Sequence, residues 1–228
     1  MLFDIKNRIL YEDTEILVCK KPAGLAVQSA KMGQQDMVSL LKNYRAMKKE
    51  EPYIGLVHRL DQPVEGVMVF AKSKQAAANL SKQISEKQTD KYYYAVVCGK
   101  PKEKQANLVD YLCKDGKKNT SGVVTKETVG AKRAELFYEV VEEKEDKALL
   151  RIELKTGRHH QIRVQLSHMG CPIYGDSKYN KFYEEEKRGY MPLALCAYKI
   201  AFFHPKNRKK MEFQIQPEGE GFLEFRIE

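Results

Sequence analysis

The sequence predicts an α+β fold built on a mixed, mainly antiparallel central sheet with flanking helices. Three observations carry that prediction. Apolar and β-branched runs of strand length outnumber the helical patterns. The helical patterns fall singly among the strands, without the strict strand–helix alternation of a doubly wound fold. No Pro/Gly/Ser-rich linker, internal repeat or low-complexity tract divides the 228 residues, so a single domain over 1–228 is expected.

In chain order, "EILVCKKPAG" (15–24) reads as a buried strand entering a Pro-Gly turn. Met37, Leu40, Leu41, Tyr44 and Met47 recur at helical spacing over 37–48. "YIGLVHRLD" (53–61) is a short strand entering a loop, and "GVMVFAKS" (66–73) a buried strand leaving it. Ala76, Ala77, Leu80 and Ile84 mark one face of a helix over 74–88. "KYYYAVVCG" (91–99) is a strand by its aromatic and β-branched content. The polar, lysine- and glycine-rich stretch 100–132 predicts loops with a short strand pair. Leu136, Tyr138 and Val140, then Leu150, Ile152 and Leu154, alternate with polar neighbours across a solvated "EEKEDK" connection. Residues 160–169 predict a short helix with Ile162, Leu166 and Met169 on one side. "LALCAYKIAFFHP" (193–205) and "KMEFQIQP" (210–217) close the chain as two more strands.

Composition narrows the function classes. No apolar run approaches the roughly 18 residues of a membrane span. The start, "MLFDIKNRILYEDTE", has neither the basic n-region nor the long apolar h-region of a signal peptide. A cytoplasmic protein without a membrane partner is therefore expected. Five scattered cysteines without a C-x-x-C suit reduced thiols. Five histidines without an H-x-x-x-H pair give no metal site. Forty basic against 31 acidic residues leave a net charge of +9. Such an excess describes a polyanion binder, through counterion release, as readily as a lysine-rich surface.

Four stretches hold candidate chemistry. "HRLDQPVEG" (58–66) crowds His58, Arg59 and Asp61 between two apolar strands. Aspartate is common at turns because its side chain bonds nearby amides, yet this crowding also suits a nucleophile or base with companions. "LKTGRHHQIRVQLSHMGCPIYGDSKY" (154–179) gathers Arg158, His159, His160, Gln161 and Arg163 at a helix start. Arginine pairs bidentately with carboxylates and phosphates, and helix N-termini favour anions; a surface helix with a basic end is the plainer reading. The tyrosines of "KYYYAVV" are packing residues or a stacking platform for an extruded base. "KDGKK" (114–118) and "KNRKK" (206–210) are phosphate contacts or solvated loops.

These stretches resemble the RluA-type pseudouridine synthases. "HRLDQPVEG" resembles their HRLD-x-x-x-x-G signature, and "TGRHHQIRVQLSHMGCPIYGDSKY" their TGR-x-HQIRVHL and GHPI-x-GD-x-x-Y hallmark. "DKYYYAVVCGK" resembles their K-x-Y-x-A-x-V-x-G strand, "EDTEILVCKKPAGLAVQ" their N-terminal strand and KP-x-G turn, and "LALCAYKIAFFHP" their late strand. The match runs in the family's order from about residue 10 to about residue 217.

The resemblance implies a pseudouridine synthase fold with a catalytic cleft. It implies isomerisation of specific uridines in ribosomal or transfer RNA: the glycosidic bond from uracil nitrogen is cut, the ring turns, and carbon-5 is rejoined to the ribose. RNA is the implied partner, and no cofactor or metal is needed. The family's catalytic aspartate falls on Asp61, its active-site tyrosine on Tyr93, and its ion-pairing basic residue on Arg163. Arg163 would keep Asp61 ionised and oriented, and Tyr93 would stack on the flipped base. Arg59 would fill the space left by the extruded nucleotide, with His58, Arg158, His160 and Gln161 completing the substrate-binding set. Three departures stand out. Val64 and Glu65 replace a common Thr-Ser, His159 a threonine, and Gln165 a histidine. A monomer without a separate N-terminal RNA-binding domain is expected. The rival reading is a non-catalytic RNA-binding or ribosome-assembly protein on the same fold.

Overall fold

The structure, a computed structural model, describes residues 4–29, 33–181 and 191–227. The chain forms two compact units, Met1–Asp90 with Ala197–Ile215 and Lys91–Cys196 with Gln216–Glu228.

In the first unit, β1 (Ile9–Glu12), β2 (Ile16–Lys21), β4 (Glu65–Ala71) and β10 (Leu195–Phe203) lie side by side. The two-residue β3 (Gly55–Leu56) also pairs with β4, and β11 (Lys210–Gln214) pairs antiparallel with β10. β2 and β4 are antiparallel, with Ile16 opposite Ala71 and Lys21 opposite Gly66. Every residue of both strands is buried, which explains their unbroken apolar runs. The sequence patterns do not predict β1, a partly exposed edge strand with a bulge between Ile9 and Tyr11. α1 (Met37–Met47) opens with a capping box, in which Asp36 accepts the Ser39 N–H and the Ser39 hydroxyl accepts the Asp36 N–H. It buries Met37, Val38, Leu40 and Leu41, but Met47 is 68% exposed. Met47 is the last helical residue, and the chain turns away at Lys49 through φ 59. α2 (Lys74–Ser85) is capped by Ser73, whose hydroxyl accepts the Ala76 N–H.

In the second unit, β5 (Asp90–Cys98), β9 (Lys147–Leu154), β8 (Lys132–Lys144), β6 (Gln105–Asp115) and β7 (Thr120–Val124) follow one another, all antiparallel. The stretch expected to hold loops with a short strand pair holds a longer one, the 11-residue β6 with its hairpin partner β7. β6 pairs on both sides, but its alternate residues face solvent, so its composition stays polar. α3 (Gln161–His168) packs against β6 and β7 and buries six consecutive residues, Gln161 through Leu166. This overturns the reading of a surface helix with a basic end. No helix among the described residues is long and apolar enough to cross a membrane.

Candidate active site

The loop carrying Asp61 runs from β3 to β4 and is bonded to the turn after β2. The Gly24 N–H donates to the Gln62 carbonyl at 2.9 Å, and Gln62 Nε2 donates to the Gly24 carbonyl at 3.0 Å. The Val64 N–H donates to the Asp61 carbonyl at 3.0 Å, closing a tight turn just after the carboxylate. Beneath it lies Lys21, fully buried. Its Nζ donates to the carbonyls of Pro22 at 2.9 Å, Leu25 at 2.7 Å and Gln62 at 3.0 Å, which uses all three donors of an ammonium. Burial pulls this ammonium down to about 7, against the opposing pull of the Asp61 and Glu65 carboxylates. Sequence reasoning missed Lys21. The available signal was a lysine closing an otherwise apolar strand, since such a side chain must find partners inside.

The same loop accounts for the end of its motif. Glu65 is the first residue of β4, 4% exposed and within the field of Lys21. Gly66 is required by packing: a Cβ there would overlap the side chain and backbone of Ala197 on β10, and its φ is 155°. His58 accepts the Val69 N–H at Nε2 (3.1 Å), bracing the loop on β4. Asp61 is half-buried, whereas Arg59 is exposed with Nη2 3.3 Å from Gln28 Oε1. A carboxylate on a loop fixed by main-chain bonds is a preorganised nucleophile or base.

In the second unit, α3 and the segments around it form a continuous polar network. Arg163 makes a bidentate ion pair with Asp176, Nε to Oδ2 at 2.8 Å and Nη2 to Oδ1 at 2.7 Å, and both side chains are buried. Asp176 Oδ1 also accepts the N–H groups of Lys178 and Tyr179. The Arg163 guanidinium lies 5.1 Å from the Tyr179 ring centroid. His160 caps α3 in a left-handed conformation, φ 54°, and its Nδ1 is 2.7 Å from the Tyr179 hydroxyl. Burial pushes His160 down to about 3, helped by the positive charges of Arg163, His159, Lys178 and Lys114. His160 is therefore held neutral, and its Nδ1 shares a hydrogen bond with the tyrosine hydroxyl, which accepts the Ser121 N–H at 2.8 Å. His159 stacks on His160 at 3.8 Å and reaches Ser121 Oγ at 2.9 Å, tying the helix start to β7.

The remaining expected residues hold the turn itself. Gln161 accepts from Thr156 Oγ1 and the Arg158 N–H, and donates to the Glu135 carbonyl and Gln165 Oε1. The exposed Arg158 side chain donates from Nε to the Arg133 carbonyl. Tyr93 sits on β5 opposite Ile152 and is 7% exposed; strand alternation turns Tyr92 and Tyr94 to the other face. The structure thus gathers Arg163, His160 and Gln161 around the start of α3, and sets His58, Arg59 and Asp61 on the loop backed by Lys21. Sequence reasoning missed Asp176, Tyr179 and Ser121. An acid within a strongly basic motif was the signal for Asp176.

Comparison with known proteins adds to this geometry. Residues 15–168 match the family described as RNA pseudouridylate synthase. The ribosomal large subunit pseudouridine synthase C of Buchnera aphidicola (strain Bp) is 33% identical over 209 residues, 90% of this chain and 65% of that protein. The protein of the same name from Escherichia coli K12 is 33% identical over 222 residues, 93% of this chain and 67% of that protein. The chain thus spans about two thirds of the length of these curated relatives. Among solved structures, human RNA pseudouridylate synthase domain containing 4 matches with a TM-score of 0.80 and 26% identity, over 94% of this chain and 90% of that one. Human RNA pseudouridylate synthase domain containing 1 matches in fold, with a TM-score of 0.74 at 22% identity over 92% of this chain and 83% of that one. The α+β fold expected from the sequence is the fold of these structures.

Proposed function

Because the chain belongs to the RNA pseudouridylate synthase family, we propose that it isomerises uridine to pseudouridine in large-subunit ribosomal RNA. The observation that carries this reading is the Asp61 loop, which falls within the matched residues and is fixed by Gly24, Gln62 and the three bonds of Lys21. The ribosomal substrate rests on the names of the curated relatives. The target nucleotide leaves its stack, at a cost of a few kcal/mol, and Arg59 on the exposed side of the loop fills the gap. The Asp61 carboxylate initiates cleavage of the N-glycosidic bond. Tyr93 stacks on the freed ring while it turns, and Arg163, held rigid by its bidentate pair with Asp176, supplies a fixed cation to the reaction. Carbon-5 then bonds to the ribose and gives up its proton, and the ring nitrogen released from the glycosidic bond takes one up, so that the product is an isomer of the substrate. Arg158 and His58 border the substrate, and His160 and Gln161 shape its pocket by ordering the turn before α3. The protein acts as a monomer in the cytoplasm and needs no cofactor.

The test uses a large-subunit rRNA transcript, mapped by carbodiimide-blocked reverse transcription after incubation with the protein. The wild type is expected to create one or more new stops. Asp61→Asn is expected to create none while keeping its melting temperature and its RNA affinity. Turnover by Asp61→Asn close to the wild-type rate removes Asp61 from the chemistry. A wild type that creates no stop in ribosomal or transfer RNA favours the non-catalytic binding role.

A further inference from the structure

The turn between β10 and β11 is more firmly constructed than a solvated loop requires. His204, 4% exposed, accepts the N–H groups of Lys206 at 3.3 Å and Asn207 at 3.2 Å on Nδ1, and its Nε2 lies 2.9 Å from Asp13 Oδ2. Its carbonyl accepts the Arg208 N–H at 2.9 Å, and its own N–H donates to the Lys209 carbonyl at 2.8 Å. Asn207 Oδ1 accepts the Lys209 N–H at 3.0 Å, and Arg208 takes a left-handed φ of 60°. This scaffold displays Lys206, Arg208, Lys209 and Lys210, all exposed. Lys210 is 3.7 Å from Asp90, whereas Lys206, Arg208 and Lys209 make no ion pair among the described residues. Arg208 lies 5.6 Å from the Phe203 ring centroid, at the rim of a cavity of about 300 Å³ that Gln88 and Asp90 also line.

Strand register locates the turn. β4 begins four residues after Asp61, with Gly66 opposite Lys21, and ends with Ala71 opposite Ile16. Asp13, which holds His204, lies three residues before Ile16. Asp61 and the basic turn therefore occupy opposite ends of the β2–β4 pair, separated by six paired residues, about 20 Å at about 3.3 Å per residue.

We propose that this turn is a second contact for the RNA backbone, a phosphate clamp remote from the reacting uridine; it rests on the reading of RNA as the substrate. Three unpaired cations on a prefixed backbone gain from counterion release without a matching loss of loop entropy. A guanidinium held over an aromatic ring keeps its planar fork presented to a phosphate. Asp90 in the cavity repels phosphate, so the clamp is the outward face of the turn. Solvated lysines alone would need no buried His–Asp anchor.

The test combines Lys206→Gln, Arg208→Asn and Lys209→Gln, which leaves His204 and its bonds in place and puts asparagine where φ is positive. Binding is measured by fluorescence anisotropy on the Asp61→Asn protein, so turnover plays no part. The probes are an RNA duplex of about 20 base pairs, somewhat longer than the span of a double-stranded RNA-binding domain, and a uridine-containing single strand of about six nucleotides. Duplex affinity is expected to fall at least about tenfold at low salt, and the slope of log K against log salt to shrink by about 2 to 3. The short strand binds as before. Lys206→Arg with Lys209→Arg keeps full duplex affinity. Unchanged duplex affinity and slope overturn the clamp, and equal losses on both probes overturn its remoteness. If the wild type makes no pseudouridine but the triple variant loses duplex affinity, the catalytic reading fails and the clamp stands.

Discussion

Arg163 and Asp176 pair where solvent barely reaches, with side chains 4% and 0% exposed. The pair therefore sets the stability of the second unit as well as the chemistry proposed for it. Arg163→Met leaves the Asp176 carboxylate buried with only backbone N–H partners, which costs about 3–5 kcal/mol. Urea unfolding should show that loss, and Arg163→Met with Asp176→Leu should lose clearly less than the two single changes added together. Activity of Arg163→Met is thus meaningful only at matched folded fraction. His160 makes a second prediction. Its unfolded imidazole takes a proton near 6.5, whereas the folded one refuses it until about 3. The folded state binds fewer protons in that window, so stability is full above about 6.5 and falls as pH drops toward 3. Between pH 6.5 and about 5 most carboxylates stay ionised, which separates the histidine from acid denaturation. The melting temperature should fall over that range, and fall less in His160→Asn, whose side chain tolerates the left-handed backbone. Parallel pH profiles of the two proteins would mean that another group sets the slope.

At the scale of elements, Lys21 joins the turn after β2 to the Asp61 loop through three carbonyls from two segments. Lys21→Met removes the charge and strands the Pro22 and Leu25 carbonyls, each at about 1–3 kcal/mol, while the Gln62 carbonyl keeps the Gly24 N–H. The variant should lose several kcal/mol in urea unfolding, and the Gly24 amide, bonded to Gln62, should exchange faster than in the wild type. An unchanged Gly24 exchange rate would mean that the loop holds without the ammonium. The elements themselves were legible where burial writes a simple pattern, the unbroken apolar runs of β2 and β4 or the helical face of α2. They were illegible where it does not. β6 is paired on both sides yet half-solvated, so its polar residues, set among lysine- and glycine-rich neighbours, do not read as a long strand. α3 is covered on every side, so Arg163, Gln161 and Gln165 are interior polar groups that a one-faced helical pattern cannot reveal. The candidate site shows the same division. Asp61, Tyr93 and Arg163 are candidates by motif resemblance alone, whereas Lys21, which fixes the Asp61 loop through Gln62, and Asp176, which holds Arg163, act through tertiary hydrogen bonds that leave no local period. Glu65 was unexplained in sequence; its burial beside the Lys21 charge follows only from the register that sets Lys21 opposite Gly66.

Over the whole molecule the excess of positive charge, +9, is the property most exposed to solution conditions. Many surface cations are already answered by carboxylates, among them Lys104 by Glu143, Arg151 by Glu139, Lys147 by Glu224 and Lys199 by Glu212. Other cations make no ion pair among the described residues, and some of these sit on tight turns: Lys117 and Lys118 on the β6–β7 hairpin, where Asp115 accepts both backbone N–H groups, and Lys206, Arg208 and Lys209 after β10. Fixed, unpaired cations act on phosphates at short range, because the screening length at physiological salt is only about 8 Å. An affinity built this way is dominated by released counterions. With four or more phosphates engaged, the association constant for an RNA duplex should fall at least about a hundredfold between about 50 and 200 mM salt. The fall should be linear in a plot of log K against log salt, and the same in Asp61→Asn as in the wild type, since the carboxylate contributes chemistry rather than attraction. A loss below about threefold over that range corresponds to fewer than one engaged phosphate. Affinity would then have to come from stacking and hydrogen bonds to the extruded base alone, and the basic turns would be a solubility feature of the surface.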